Sequence, residues 1–222
     1  MNNPQVLPPP PPMVHAGALA QNKTLRNAYL LLSLMMGGAA LAAFATMSMG
    51  GLPINKWVFL ILALAFPFAI NAARNSVWGL VLAFAYCGLL GAFLGPVIKA
   101  YASMNPMIPI HAFVTTAAIF VGLTMYALTT KRDFSFLGGF LMAGSIVVLL
   151  SVVAIWIFQL SMLGVVLSGL IVLLSSAFIL YDTQSLVRDG EANYIVVATS
   201  LFASIWSLFA NLMHLFGFMS DD

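Results

Sequence analysis

SMLGVVLSGLIVLLSSAFILYDTQSLVRDGEANYIVVATSLFASIWSLFANLMHLFGF, residues 161–218, is two apolar runs joined by a short polar turn. The runs, about 162–186 and 194–218, carry one charged residue between them, Asp182. A helix of about 20 apolar residues crosses the hydrocarbon core of a bilayer, and each run is long enough. Lipid offers no partner to an exposed peptide group, so each run must be helical. The turn from Arg188 to Asn193 then makes them an antiparallel hairpin.

Reading outward, five further apolar stretches precede the hairpin, at about 27–49, 56–73, 76–98, 108–130 and 135–158. Their breaks are Gly50 to Pro53, Arg74-Asn75, Lys99 to Pro109, Lys131 to Asp133 and Gln159 to Ser161. The pattern predicts an all-α membrane protein of seven transmembrane helices. Composition agrees: of 222 residues, 62% are hydrophobic and 6% charged, against about 25% charged in a soluble domain. That excludes a soluble globule, and it excludes a disordered chain, which needs low hydrophobicity. Residues 1–26 differ from the rest, with six of the eleven prolines, including Pro8 to Pro12, and no acid. The run predicts an extended polyproline segment without a core, a flexible tail or a ligand for a proline-binding partner. The chain thus divides into a proline-rich tail, 1–26, and a transmembrane domain, 27–222. Ala43-Phe44-Ala45 has the look of a signal cleavage site, but the first stretch is long enough to span and more spans follow it. The lone Cys87 excludes an internal disulfide and a multi-cysteine metal site. A net charge of +2 gives no reason to expect nucleic acid.

Basic residues fall unevenly between alternate loops. Lys23, Arg26, Arg74, Lys131, Arg132 and Arg188 share one side; Lys56 and Lys99 share the other. By the positive-inside rule the N-terminus is cytoplasmic and, after seven spans, Asp221-Asp222 are outside. Two sets of glycines, Gly88, Gly91, Gly95 and Gly138, Gly139, Gly144, predict close helix packing.

Polar residues single out the last span. Ser200, Ser204, Ser207, Asn211 and His214 recur at steps of four, three, four and three and share one helical face. Exposing that face to lipid is costly, so it should meet protein or a wet cavity, which suits a central helix. Each hydroxyl alone could instead bond back to its own helix. Asp182 is the one acid within a span. Counted from the turn at Asn193, it and Ser204 are each 11 residues away, and after half the turn is allowed for both lie roughly 12 Å along their helices. An intramembrane carboxyl is a functional candidate, an ion- or proton-sensing group with Ser204 opposite. The plainer alternatives are that it snorkels to the cytoplasm or pairs with Arg74 or Arg188.

Enzyme chemistry finds no foothold, and no catalytic residue, metal site or cofactor is predicted. There is no HExxH and no G-x-S-x-G, and His15, His111 and His214 are far apart. A pair of intramembrane aspartates is missing, and Lys23, Lys56, Lys99 and Lys131 all sit at span edges, leaving no buried amine for a retinal Schiff base.

Several segments together resemble the Bax inhibitor-1 (transmembrane Bax-inhibitor-motif) family. They are Lys23 to Asn27, Gly88 to Pro96, Leu128 to Gly144, Tyr181-Asp182-Thr183-Gln184, Gly190 to Ile195 and Ser200 to Gly217. The likeness covers about residues 23–220 and omits the proline run. It implies a bundle whose last helix is central and surrounded by the other six. Some members are pH-sensitive calcium leak pathways, with facing aspartates on the last two helices. Asp182 matches the first of these; the second position matches Ser204, so the pair is broken here and a calcium leak or proton sensor is the alternative reading. The likeness is closest to the bacterial branch, which implies an inner-membrane protein bound to the FtsH protease and its HflK–HflC partners. Such proteins restrain the protease and are poor substrates of it, with the cytoplasmic tail as handle.

Overall fold

A computed structural model describes residues 14–49, 55–130, 132–158, 161–188 and 192–220 of the chain. Side chains are described from residue 23 onward, except those of residues 56, 156, 161, 162 and 188. Seven helices follow one another: α1 Val14–Met49, α2 Lys56–Ala72, α3 Val77–Met104, α4 Met107–Thr129, α5 Leu137–Phe158, α6 Ser161–Arg188 and α7 Tyr194–Ser220. No strand occurs among the described residues. Six of the helices are long and apolar enough to cross a membrane. The chain is a multi-pass membrane protein. Helix α2 is the exception at 17 residues, roughly 25 Å at 1.5 Å per residue and a little short of the core thickness of about 30 Å.

Local chemistry sets the boundaries. Asn55 and Ser76 accept hydrogen bonds from the backbone of Trp57 and Trp78 and cap α2 and α3. The Arg74-Asn75 break is a real turn, between Ala72 and Val77. Two boundaries move from those expected. The loop foreseen from Lys99 to Pro109 shrinks to Asn105-Pro106, because nothing before Asn105 stops a helix and proline can open the next one. At the other end, α1 begins at Val14, so residues 14–26 of the expected tail are helical. They follow the last proline and contain three alanines and two leucines, good helix formers. The Pro8 to Pro12 run lies outside the described residues, as do Gly190-Glu191 and Asp221-Asp222.

Helix α7 is the centre of the bundle. Helices α1, α2, α3, α4 and α6 all pack on it, while α5 packs on α6 alone. Ala198, Leu201, Leu208 and Met213 of α7 are fully enclosed. The glycine stripe acts where helices cross: a Cβ at Gly91 or Gly95 would strike the α1 backbone at Ala39 or Ala43. Gly144 and Gly138 face side chains of α6 instead: a Cβ at Gly144 would press on Leu174, and one at Gly138 would make ordinary contact with Tyr181, whereas Gly88 and Gly139 face open space.

Two amide side chains tie the loops at one end. The Gln184 amide accepts from Phe134 N–H at 2.6 Å and donates to Arg132 C=O, holding the α4–α5 loop to α6. Asn193 caps α7 by accepting from Ile195 N–H at 3.0 Å, while its Nδ2 donates to Arg74 C=O at 3.0 Å and to Asn75 Oδ1 at 3.2 Å. The loops that carry Arg74, Arg132 and Arg188 therefore share one end, as the alternation of charge requires.

Candidate functional site

Because α5 does not reach α7, a cavity of about 390 Å³ remains between α2, α3, α5, α6 and α7. Four of the five stripe residues line it: Ser200, Ser204, Ser207 and Asn211. Ser145 of α5 and Ser175 of α6 complete a polar floor, and neither stands out in the sequence, since single serines on apolar helices are common. The walls are apolar and aromatic, with Phe59, Tyr86 and Trp206 among them. The indole of Trp206 is fixed by donation to Leu90 C=O at 2.9 Å.

Hydrogen bonding separates the stripe from ordinary helix serines. Ser145, Ser176 and Thr199 bond back to carbonyls four residues earlier. Ser204, 6% exposed, and Ser207 have no protein partner among the described residues. Their hydroxyls are left to the cavity. Asn211 donates to Ser207 C=O at 2.8 Å, which leaves its amide oxygen for the cavity.

Asp182 is buried on α6 at the loop-tied end of this cavity, one turn beyond Phe178, which lines it. Its neighbour across the hairpin is Ser200, within hydrogen-bonding reach. Ser204, the position expected from counting, is one turn further along α7 and lines the same cavity. Asp182 Oδ2 is enclosed and has no hydrogen-bond partner among the described residues. Arg74 is exposed and makes no ion pair with Asp182 there; its carbonyl serves Asn193 instead. The Arg188 side chain lies outside the described residues.

His214 belongs elsewhere. Its Nδ1 and the Ser168 hydroxyl are 2.8 Å apart, joining α6 to α7 at the far end. It lines a second cavity of about 510 Å³ with Tyr101 and Gly217. His111 stacks edge-on to Phe216, 6.3 Å between centroids, near that end. Among the described residues no three His, Cys, Asp or Glu side chains group as a metal site would need.

Five of the other six helices surround α7, where the resemblance implied all six, and sequence comparison bears on the family itself. The family model described as "Inhibitor of apoptosis-promoting Bax1" matches residues 21–221. The chain belongs to this family. An uncharacterized protein of Pseudomonas aeruginosa is 40% identical over 200 residues, 89% of this chain and 90% of that protein. A protein of Escherichia coli strain K12 named "Modulator of FtsH protease YccA" is 38% identical over 207 residues, 92% of this chain and 94% of its own. An "Uncharacterized membrane protein" of Vibrio cholerae is 37% identical over 207 residues, 92% of this chain and 93% of that one.

Proposed function

We propose that this member of the Bax inhibitor-1 family is a non-enzymatic regulator in a bacterial inner membrane that binds and restrains the FtsH protease. The observation that carries the reading is the 38% identity, over 92% of the chain, to the protein named as modulator of that protease. The loop-tied end with Arg74 and Arg132 would be cytoplasmic, as the basic residues require. The same docking would involve HflK–HflC, and the segment before α1 would be the handle by which the protease engages the chain.

Solubilisation in gentle detergent followed by affinity capture and mass spectrometry tests this. FtsH, with HflK and HflC, should be enriched over a control membrane protein of similar abundance. Capture without FtsH refutes the reading.

A second reading has one observation in its favour. The enclosed, unpartnered Oδ2 of Asp182 beside a polar cavity suits a proton sensor or a calcium or cation leak. It lacks a second carboxyl, since positions 200 and 204 are both serine. Calcium flux through the unmodified chain in liposomes would promote it over the protease reading.

A further inference from the structure

The cavity is walled by α2, α3, α5, α6 and α7. Helices α2 and α5 both line it and do not pack on each other, and a gap between two spanning helices opens toward lipid. Inside, Ser175 and Ser204 are 5% and 6% exposed, and neither hydroxyl has a protein partner among the described residues. These are hydrogen-bonding groups withheld from water and aimed into a cavity. Ser204 lies ten residues into α7 and Asn211 seventeen, or roughly 15 and 25 Å along the axis at 1.5 Å per residue. The floor is therefore at the depth of the acyl chains.

The lining also limits what can bind. It contains no Asp, Glu, Lys, Arg or His. An anionic head would lose its hydration there and meet no cation. A large zwitterionic head would have to be dragged to mid-depth for the same reason. A purely hydrocarbon ligand would leave the serine hydroxyls unmet. What fits is an uncharged head with one or two oxygen atoms, small enough for about 390 Å³, on a chain that can leave between α2 and α5. That volume is within the span of about 300–1,000 Å³ usual for small-molecule sites. Phe59, Tyr86 and Trp206 add aromatic surface to the lining.

We propose that this cavity binds a neutral membrane lipid with a small carbonyl head, either the ring of an isoprenoid quinone or the ester group of a diacylglycerol. Ser175, Ser204 and Ser207 donate hydrogen bonds to the carbonyl oxygens, and the hydrocarbon tail exits past Leu64 of α2 and Val152 of α5. The proposal is independent of any action on a protease.

Photolabelling tests it on the purified full chain in lipid nanodiscs. Three diazirine probes are compared: an isoprenoid benzoquinone, a diacylglycerol and a fatty acid. One neutral probe, or both, should attach to peptides of α2, α5 or α7 that line the cavity, and its unlabelled form should compete. Whichever neutral arm labels identifies the source. Ser204→Leu should fill the cavity and abolish that labelling. Ser207→Ala should weaken competition about fivefold, the effect of one ordinary hydrogen bond. Leu173→Ala, at a residue that is 70% exposed and does not line the cavity, should change nothing. If Ser204→Leu does not fold, the attachment sites on the unmodified chain and the Ser207→Ala competition still decide. Equal labelling of the cavity by the fatty acid overturns the proposal. So does neutral-probe labelling spread evenly over outward residues such as Phe140 and Leu173.

Discussion

Replacing Gln184 should unfasten the α4–α5 loop and cost more than its two hydrogen bonds suggest. The side chain is 5% exposed and uses both ends of its amide, accepting from Phe134 N–H and donating to Arg132 C=O. The partners differ in what they lose. Phe134 is buried, so its N–H would be left unpaired away from water at a cost of about 1–3 kcal/mol. Arg132 is exposed, and its carbonyl can turn to water, so that loss is about 0.5–1 kcal/mol. Gln184→Met keeps most of the volume and the helix propensity and should destabilise by about 2 kcal/mol. Gln184→Ala adds a small void and should reach about 3 kcal/mol. For a chain of this length each kcal/mol moves the midpoint by about 2–4 °C, so shifts of roughly 4–8 and 6–12 °C are expected. The chain carries its own reporter, since its single cysteine, Cys87, is 1% exposed. A dye that fluoresces on reacting with a thiol will read unfolding in detergent as Cys87 becomes accessible. If Gln184→Met melts with the unmodified protein, the amide bonds contribute nothing and the loop is held by packing alone.

Three further outcomes follow from the same geometry. Asn193→Ala should lose the α7 cap and both bonds to the α2–α3 turn, about 2 kcal/mol in all, while Asn193→Ser should restore the cap's share of about 1 kcal/mol; equal melting of the two by the same dye assay would show that the cap is unimportant. Gly95→Ala should destabilise by about 1–3 kcal/mol because its Cβ meets the α1 backbone and Thr46, whereas Gly88→Ala, which meets nothing, should be neutral or stabilising by up to about 1 kcal/mol. Thermal unfolding of the pair in one detergent checks this, and a reversed order would mean that α1 and α3 do not cross at Gly95. Reporter fusions should find the N-terminus cytoplasmic and the C-terminus outside, and two ends on one side would break the seven-span topology.

Helix number and the rank of α7 were readable because lipid imposes simple rules. A span must be apolar and helical, so length and breaks are nearly enough to find it, and a polar stripe has to turn inward. The readings that missed are those that depend on rotation about a helix axis. Gly88 and Gly91 are three residues apart, yet only Gly91 touches α1. Ser175 looks like any apolar-span serine until α6 is rotated so that it faces the cavity. Gln184 bonds a loop 50 residues away in the chain, a pairing no local pattern announces. The start of α1 at Val14 was hidden by the adjoining prolines, whose effect on a helix ends where they do.

The positions of the satisfied and unsatisfied polar groups explain how a cavity can persist inside the bundle. Polar contacts tie the bundle at both ends, and one more, Trp206 to Leu90 C=O, joins α7 to α3 beside the cavity. Gln184 and Asn193 fasten one end, and the Ser168–His214 pair joins α6 to α7 at the other. Between them Ser175, Ser204 and Ser207 make no bonds to protein among the described residues. Helix α5 packs on α6 alone, and at Gly144 the side chain of Leu174 approaches it closely. Helix α2 is held by the α2–α3 turn, which Asn193 ties down. The two groups of residues should therefore separate in experiment. Changes at Gln184 and Asn193 should lower the melting point, whereas changes at Ser204 and Ser207 should alter what the cavity accepts.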